Sequence, residues 1–167
     1  MQTRSGAEIC RAAIFGVLTI ICMILIFKFS ADNADRSSEK SGKVTKTVVE
    51  VTVPHYDNMP QDKQESILDK AEHIVRKCAH FSIFTVLGFC ASCTVGRRRL
   101  FGLKSLAVLG FCFLYACSDE IHQLFTPGRA GMFTDVLIDT SGSLCGILFS
   151  LLILSLIGAM FKRKSSS

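Results

Sequence analysis

The sequence lacks charge over several long stretches, and these stretches limit what kind of protein it is. Residues 140–161 contain no charged side chain, and residues 12–27 contain none between Arg11 and Lys28. About 20 consecutive apolar residues are enough for a helix to cross the hydrocarbon core of a bilayer. A soluble helical bundle would have to hide four near-continuous apolar runs within 167 residues. The pattern therefore favours an integral membrane protein.

Other absent features narrow the class further. The sequence has no internal repeats and no separate soluble domain, and no clear small-x-small cleavage site precedes Lys28, which favours a retained first helix over a signal peptide.

Cys90 and Cys93 have the spacing of a redox or zinc motif, but they lie in an apolar run without a second pair. Polar residues do not recur deep in the apolar runs, which argues against transport. We expect no metal and no cofactor.

The apolar runs predict an all-α fold: a polytopic integral membrane protein with four transmembrane helices and an outer amphipathic helix. The predicted spans, within a single domain covering residues 1–167, are residues 12–29, 78–95, 103–124 and 137–161.

The polar segment 31–77 between the first two spans is predicted to be extracytoplasmic. Apolar residues recur at helical spacing from Pro60 to Cys78, which predicts an amphipathic helix leading into the second span. This helix either lies on the membrane surface or packs, solvated, on the outer loops. The run Thr47–Val53 is rich in β-prone residues and predicts either a small hairpin or a disordered loop.

Charge sets the orientation, because short cytoplasmic segments carry an excess of Lys and Arg. The N-terminal tail, the link after the second span and the C-terminal tail together hold nine basic residues and one acidic residue. The segment 31–77 holds eight basic and nine acidic residues, and 118–139 holds one basic and four acidic residues. We therefore predict that both termini are cytoplasmic. Contact with anionic membrane lipids accounts for the basic balance without a nucleic-acid partner.

Polar residues collect at the predicted outer ends of the second, third and fourth spans. Ionisable groups at a membrane edge are costly unless they are paired or hydrated, so they are candidates for function. The predicted ligand-binding residues are Lys77, His80, Glu120, His122, Gln123, Arg129, Asp135 and Asp139. The catalytic candidates among them are His80, Glu120, His122 and Asp135.

Each of these residues also has a structural interpretation. A single histidine such as His80 often only forms a hydrogen bond between helices, and Asp135 and Asp139 suit the dipole at a helix N-terminus. Gly142 and Gly146 continue the face of the two aspartates and would let another helix approach closely. Binding of a divalent metal by the four catalytic candidates is a minor alternative, because Glu120 and His122 point about 200° apart on an ideal helix.

The polar motifs resemble those of the VanZ-like family. The similarity rests on the runs Arg76–Phe81, Ser118–Arg129 and Asp135–Asp139, followed by Gly142 and Gly146. It extends over roughly residues 12–160, whereas the Lys- and Val-rich stretch at 40–53 looks like an insertion.

The resemblance implies a small multi-pass protein of the bacterial cytoplasmic membrane, in a family named for a member linked to resistance to the glycopeptide teicoplanin. It suggests a site at the outer leaflet for a lipid-like or lipid-linked envelope molecule, or for a lipoglycopeptide. Lys77, His80 and Arg129 are placed to hold a phosphate or carboxylate. The alternatives are an enzyme acting on a lipid head group and a non-catalytic membrane adaptor.

The charge pattern makes a prediction about topology. We expect a reporter that is active only in the cytoplasm to be active when fused to either terminus, because the basic segments stay inside. A reporter that is active only outside the membrane should be active when inserted at residue 55. External activity of the C-terminal fusion would contradict the predicted orientation.

Overall fold

The computed structural model describes residues 5–31, 34–96, 102–127 and 131–164, and these residues form helices and no strand. The helices are α1 Gly6–Ala31, α2 Ala34–Thr52, α3 Gln61–Val95, α4 Leu103–Leu124 and α5 Phe133–Lys164, with a short 3₁₀ turn at Tyr56–Asn58 between α2 and α3. The prediction of an all-helical chain is confirmed.

Helix α3 lies at the centre of the arrangement and packs against the other four helices. Its buried residues Phe84 and Leu87 meet Ile26 of α1, Cys112 of α4 and Ile147 of α5 in one apolar core. The contacts show that α3 and α5 run in the same direction, and that α1 and α4 run in the opposite one. The C-terminal ends of α1 and α4 therefore lie near the N-terminal end of α5.

The outer surface of the bundle is strongly apolar. Only 17% of the most apolar 18 residues of α1 are buried inside the protein, and side chains such as Ile20 and Leu152 are more than half exposed. A helix that is apolar all round and not covered by protein is suited to a lipid environment. Among the described residues, the helices Gly6–Ala31, Gln61–Val95 and Phe133–Gly158 are long and apolar enough to cross a membrane.

The predicted span at 103–124 coincides with α4, but this helix is not among those three. Its last two turns carry Asp119, Glu120, His122 and Gln123, which lower its mean hydropathy. Four crossings are therefore not established by length and composition.

The prediction for Thr47–Val53 was wrong, because Thr47–Thr52 form the end of α2, and Val53 directly follows it, rather than a hairpin or a disordered loop. Thr45 and Val49 are almost completely buried and lie one helical turn apart, on the face of α2 that packs against α3. β propensity is a weak preference that tertiary packing overrides. The periodicity of the buried positions, rather than residue type, decides the local structure.

The amphipathic helix predicted from Pro60 onwards is present, and it continues into the second span without a break. Both belong to α3, which has 35 residues. At 1.5 Å per residue such a helix is about 52 Å long, well beyond the roughly 30 Å of a bilayer core. About 15 residues of α3 would therefore extend beyond the apolar layer.

Small residues let α3 and α5 approach each other closely. A Cβ atom at Gly142 would collide with the backbone oxygen of Phe81, and one at Gly146 would collide with that of Thr85. On α3, a Cβ at Gly88 would meet the backbone of Ser143. The predicted role of Gly142 and Gly146 in close packing is confirmed, as is usual for small residues between apolar helices.

A glycine substitution tests this contact. We expect Gly146→Ala to lower the unfolding free energy by about 1–3 kcal/mol, because the added methyl group would force the two backbones apart. Gly110→Ala on α4 is the matched control, since a Cβ there meets nothing within 4 Å, and it should gain roughly 0.5–1 kcal/mol in helix propensity. Equal stability of the two variants in a detergent unfolding assay would refute the close contact.

Candidate functional site

A polar cavity of about 180 Å³ lies where α3, α4 and the start of α5 meet. Each helix contributes polar side chains from one face. The lining residues are His73, Arg76, Lys77, His80, Glu120, Gln123, Met132, Asp135, Ile138 and Asp139. Of the eight residues predicted to bind a ligand, the cavity brings together Lys77, His80, Glu120, Gln123, Asp135 and Asp139.

Two predicted residues form an ion pair across α3 and α5. The Nζ atom of Lys77 donates to Oδ1 of Asp135 over 2.7 Å, and both side chains are about one quarter exposed. Partial burial makes such a charge-assisted bond stronger than one on an open surface. The pair fixes the start of α5 against the middle of α3.

Glu120 supports the start of α5 from α4. Its side chain is almost fully buried, and Oε2 accepts a hydrogen bond of 2.8 Å from the backbone N–H of Met132, which directly precedes α5. A carboxylate near a helix N-terminus is favoured by the helix dipole. Glu120 therefore has a structural role in addition to lining the cavity.

A buried hydrogen-bond network joins α1 to α4 beside the cavity. Oδ2 of Asp119 accepts hydrogen bonds from Ser30 Oγ at 2.8 Å and from Gln123 Nε2 at 3.0 Å. All three side chains are buried. These bonds hold the Asp119 carboxylate in a fixed orientation.

His80 and Asp139 face each other between α3 and α5. The distance from His80 Nδ1 to Asp139 Oδ2 is 3.8 Å, and the Asp139 side chain is only 1% exposed. Neither carboxylate oxygen of Asp139 has a hydrogen-bond partner among the residues that the structure describes. A buried carboxylate in this condition is costly unless a cation compensates it.

His122 lies away from the cavity. Its ring stacks on Phe27 of α1 with the ring centroids 4.5 Å apart, on a different face of α4 from Glu120. The four catalytic candidates are therefore not gathered around one point. Arg129 and its neighbour Gly128 lie outside the described residues.

Four residues that the structure places at or beside this site were not among the residues predicted to bind a ligand. His73 and Arg76 share the cavity-lining face of α3 with His80, at spacings of seven and four residues respectively, a helical signal that was present in the sequence. Asp119 had a similar signal, since Gln123 follows it by one turn. Ser30 had none, because its contact with Asp119 joins two distant parts of the chain.

A larger open crevice of about 1030 Å³ lies at the opposite end of the helices, between α1, α3 and α4. Its charged residues are Glu8, Arg11 and Lys104, and Arg11 already donates to the backbone oxygen of Cys93. Most of the other lining residues are small or apolar. The crevice lacks the converging acids and imidazoles of the smaller cavity, which is therefore the better candidate site.

Long apolar helices with a polar cavity between their ends define a helical membrane protein with an embedded polar site. The family model VanZ/LLP1 matches residues 15–155. The chain belongs to this family, as its motifs predicted. No match was found among curated proteins or among solved structures.

The ion pair across the cavity generates a prediction. We expect a double-mutant cycle of Lys77→Met and Asp135→Asn to give a coupling energy of about 1.5 kcal/mol in unfolding free energy, because hydrogen bonds between charged groups are strong when partly buried. The exposed pair Lys46 and Glu50 on α2, at 3.8 Å, should give a coupling close to zero. A value near zero for both pairs would contradict the assigned contact.

Proposed function

We propose that this chain is a multi-pass protein of the bacterial cytoplasmic membrane whose outer cavity binds the anionic head group of an envelope amphiphile. The amphiphile is a lipid-linked envelope molecule or an acylated glycopeptide such as teicoplanin. Binding of this kind would contribute to glycopeptide resistance. The observation that carries the proposal is Arg76, which lines this cavity and whose buried Nε atom has no hydrogen-bond partner among the described residues.

The proposed topology has α1, α3, α4 and α5 crossing the membrane with both termini inside. The directions of these helices support it. Helices α1 and α4 run one way and α3 and α5 run the other way, as four successive crossings of a membrane require. Arg11 and Lys104 lie at the crevice end, and basic residues favour the cytoplasmic side. The polar cavity then lies at the outer leaflet.

Arg76 gives the strongest indication of an anionic ligand. It lines the cavity, and its buried Nε atom donates no hydrogen bond to any residue in the described part of the chain. A buried guanidinium donor without a partner is costly, and a phosphate or carboxylate would satisfy it with a charge-assisted bond. Lys77 and the imidazoles of His73 and His80 line the same cavity. The exposed apolar helix faces leave the acyl chain free to lie in the lipid.

An enzyme acting on the head group is the alternative, and the buried carboxylate of Glu120 in the cavity favours it. Under this alternative, Glu120→Gln keeps head-group binding but abolishes turnover of the bound lipid. Under the binding proposal, no turnover occurs in the wild type.

The binding proposal is tested in a susceptible Gram-positive host with the proteins at matched membrane levels. We expect the wild type to reduce teicoplanin susceptibility relative to an empty vector and Arg76→Gln to abolish this protection. Lys63→Gln, an exposed position on α3 outside the cavity, should protect as well as the wild type. Equal protection by Arg76→Gln would show that the cavity is not responsible.

Direct binding separates the two classes of amphiphile. Purified protein in lipid nanodiscs is titrated with a polyprenyl phosphate, with the corresponding polyprenyl alcohol and with teicoplanin. We expect Arg76→Gln to weaken binding of the anionic ligand by about tenfold, corresponding to the loss of a charge-assisted hydrogen bond. Equal binding of the phosphate and the alcohol, together with no binding of teicoplanin, would overturn the proposal.

A further inference from the structure

Three possible metal ligands from three different helices converge beside the cavity. His80 of α3, Asp119 of α4 and Asp139 of α5 each offer one ligand atom, and these atoms all lie within 4.8 Å of one another. The distance between His80 Nδ1 and Asp139 Oδ2 is 3.8 Å. Two ligands of one tetrahedral zinc ion lie about 3.4 Å apart, given bonds of 2.0–2.2 Å. The three ligand atoms therefore lie slightly farther apart than they would around a bound zinc ion.

The buried carboxylate of Asp139 is the observation that points to a bound cation. Both of its carboxylate oxygens are buried without a hydrogen-bond partner among the described residues, and the side chain is 1% exposed. Lys77, which lines the same cavity, donates to Asp135 instead, and His80 Nδ1 lies 3.8 Å from Asp139 Oδ2, beyond hydrogen-bond distance. An ionised carboxylate can accept several bonds, and burying it with none carries a large desolvation cost. A bound divalent ion would remove that cost.

The surroundings of Asp119 resemble those of a supported metal ligand. Ser30 and Gln123 both donate to Oδ2, which fixes the plane of the carboxylate. Carboxylates that bind metals are commonly held by such neighbouring donors, and these donors affect metal affinity strongly. Two carboxylates and one neutral imidazole also match the charge of a divalent cation.

We propose that His80, Asp119 and Asp139 bind one divalent first-row metal ion, with Zn²⁺ as the preferred cation. An imidazole and two carboxylates form a donor set that suits zinc and, more weakly, manganese. His80 and Asp139 also line the cavity, so a fourth position is open towards it, as in zinc sites that take up water or a ligand oxygen. The proposal does not depend on the proposed function, because metal binding is measured without any amphiphile.

Metal content provides the first test. The purified full-length protein is stripped with a chelator, dialysed against Zn²⁺ and analysed by elemental mass spectrometry. We expect about one equivalent in the wild type and in Asp69→Asn, a control at an exposed acid of α3 outside the cavity, and almost none in Asp139→Asn or Asp119→Asn. Equal metal content in the wild type and Asp139→Asn would overturn the proposal, as would an equal loss in Asp69→Asn.

Thermal unfolding separates a lost ligand from a damaged fold. Zn²⁺ should raise the melting temperature of the wild type and of Asp69→Asn but not that of Asp139→Asn, because a ligand that binds only the folded state stabilises it. Ser30→Ala, which leaves all three ligands in place, should weaken Zn²⁺ binding by about tenfold. A wild type that does not respond to Zn²⁺, or an equal response of Asp139→Asn, would show that the cluster is not a metal site.

Discussion

The close approach of α3 and α5 sets the register on which the rest of the molecule depends. Gly142 and Gly146 bring α5 against the backbone of α3, and this contact places Asp135 beside Lys77 and Asp139 beside His80. In a lipid environment, apolar burial gives little drive for helices to associate, so tight packing and hydrogen bonds between helices must supply it. The same contact that holds the bundle together therefore builds one wall of the cavity.

The other wall of the cavity depends on hydrogen bonds donated to buried carboxylates near the ends of apolar helices. Glu120 accepts from the backbone before α5, and Asp119 accepts from Ser30 of α1 and from Gln123. Asp139 is the exception among the described residues, since it is buried without a hydrogen-bond donor. This contrast between satisfied and unsatisfied carboxylates distinguishes the supporting residues from those with capacity left for a ligand or an ion.

Much of the fold and of the site was predictable because the relevant signals are local. Apolar runs of membrane-spanning length gave the four long helices, including the bounds of α4, and the polar motifs gave six of the residues that line the cavity. Helix α2 was not predictable from residue type, because Thr and Val favour strands on average and only packing of Thr45 and Val49 against α3 decides otherwise. The position of His122 against Phe27 was likewise decided by a contact with another helix.

The sequence by itself determined the helical class, the family and the residues able to form a polar site, because these follow from composition, periodicity and motif. Only the tertiary structure decided which of those residues meet. Ser30 and Asp119 are 89 positions apart, and His80 and Asp139 lie on helices that are separated in the chain by α4. Such pairings depend on how the helices pack side by side, and no local pattern along a single helix encodes that arrangement.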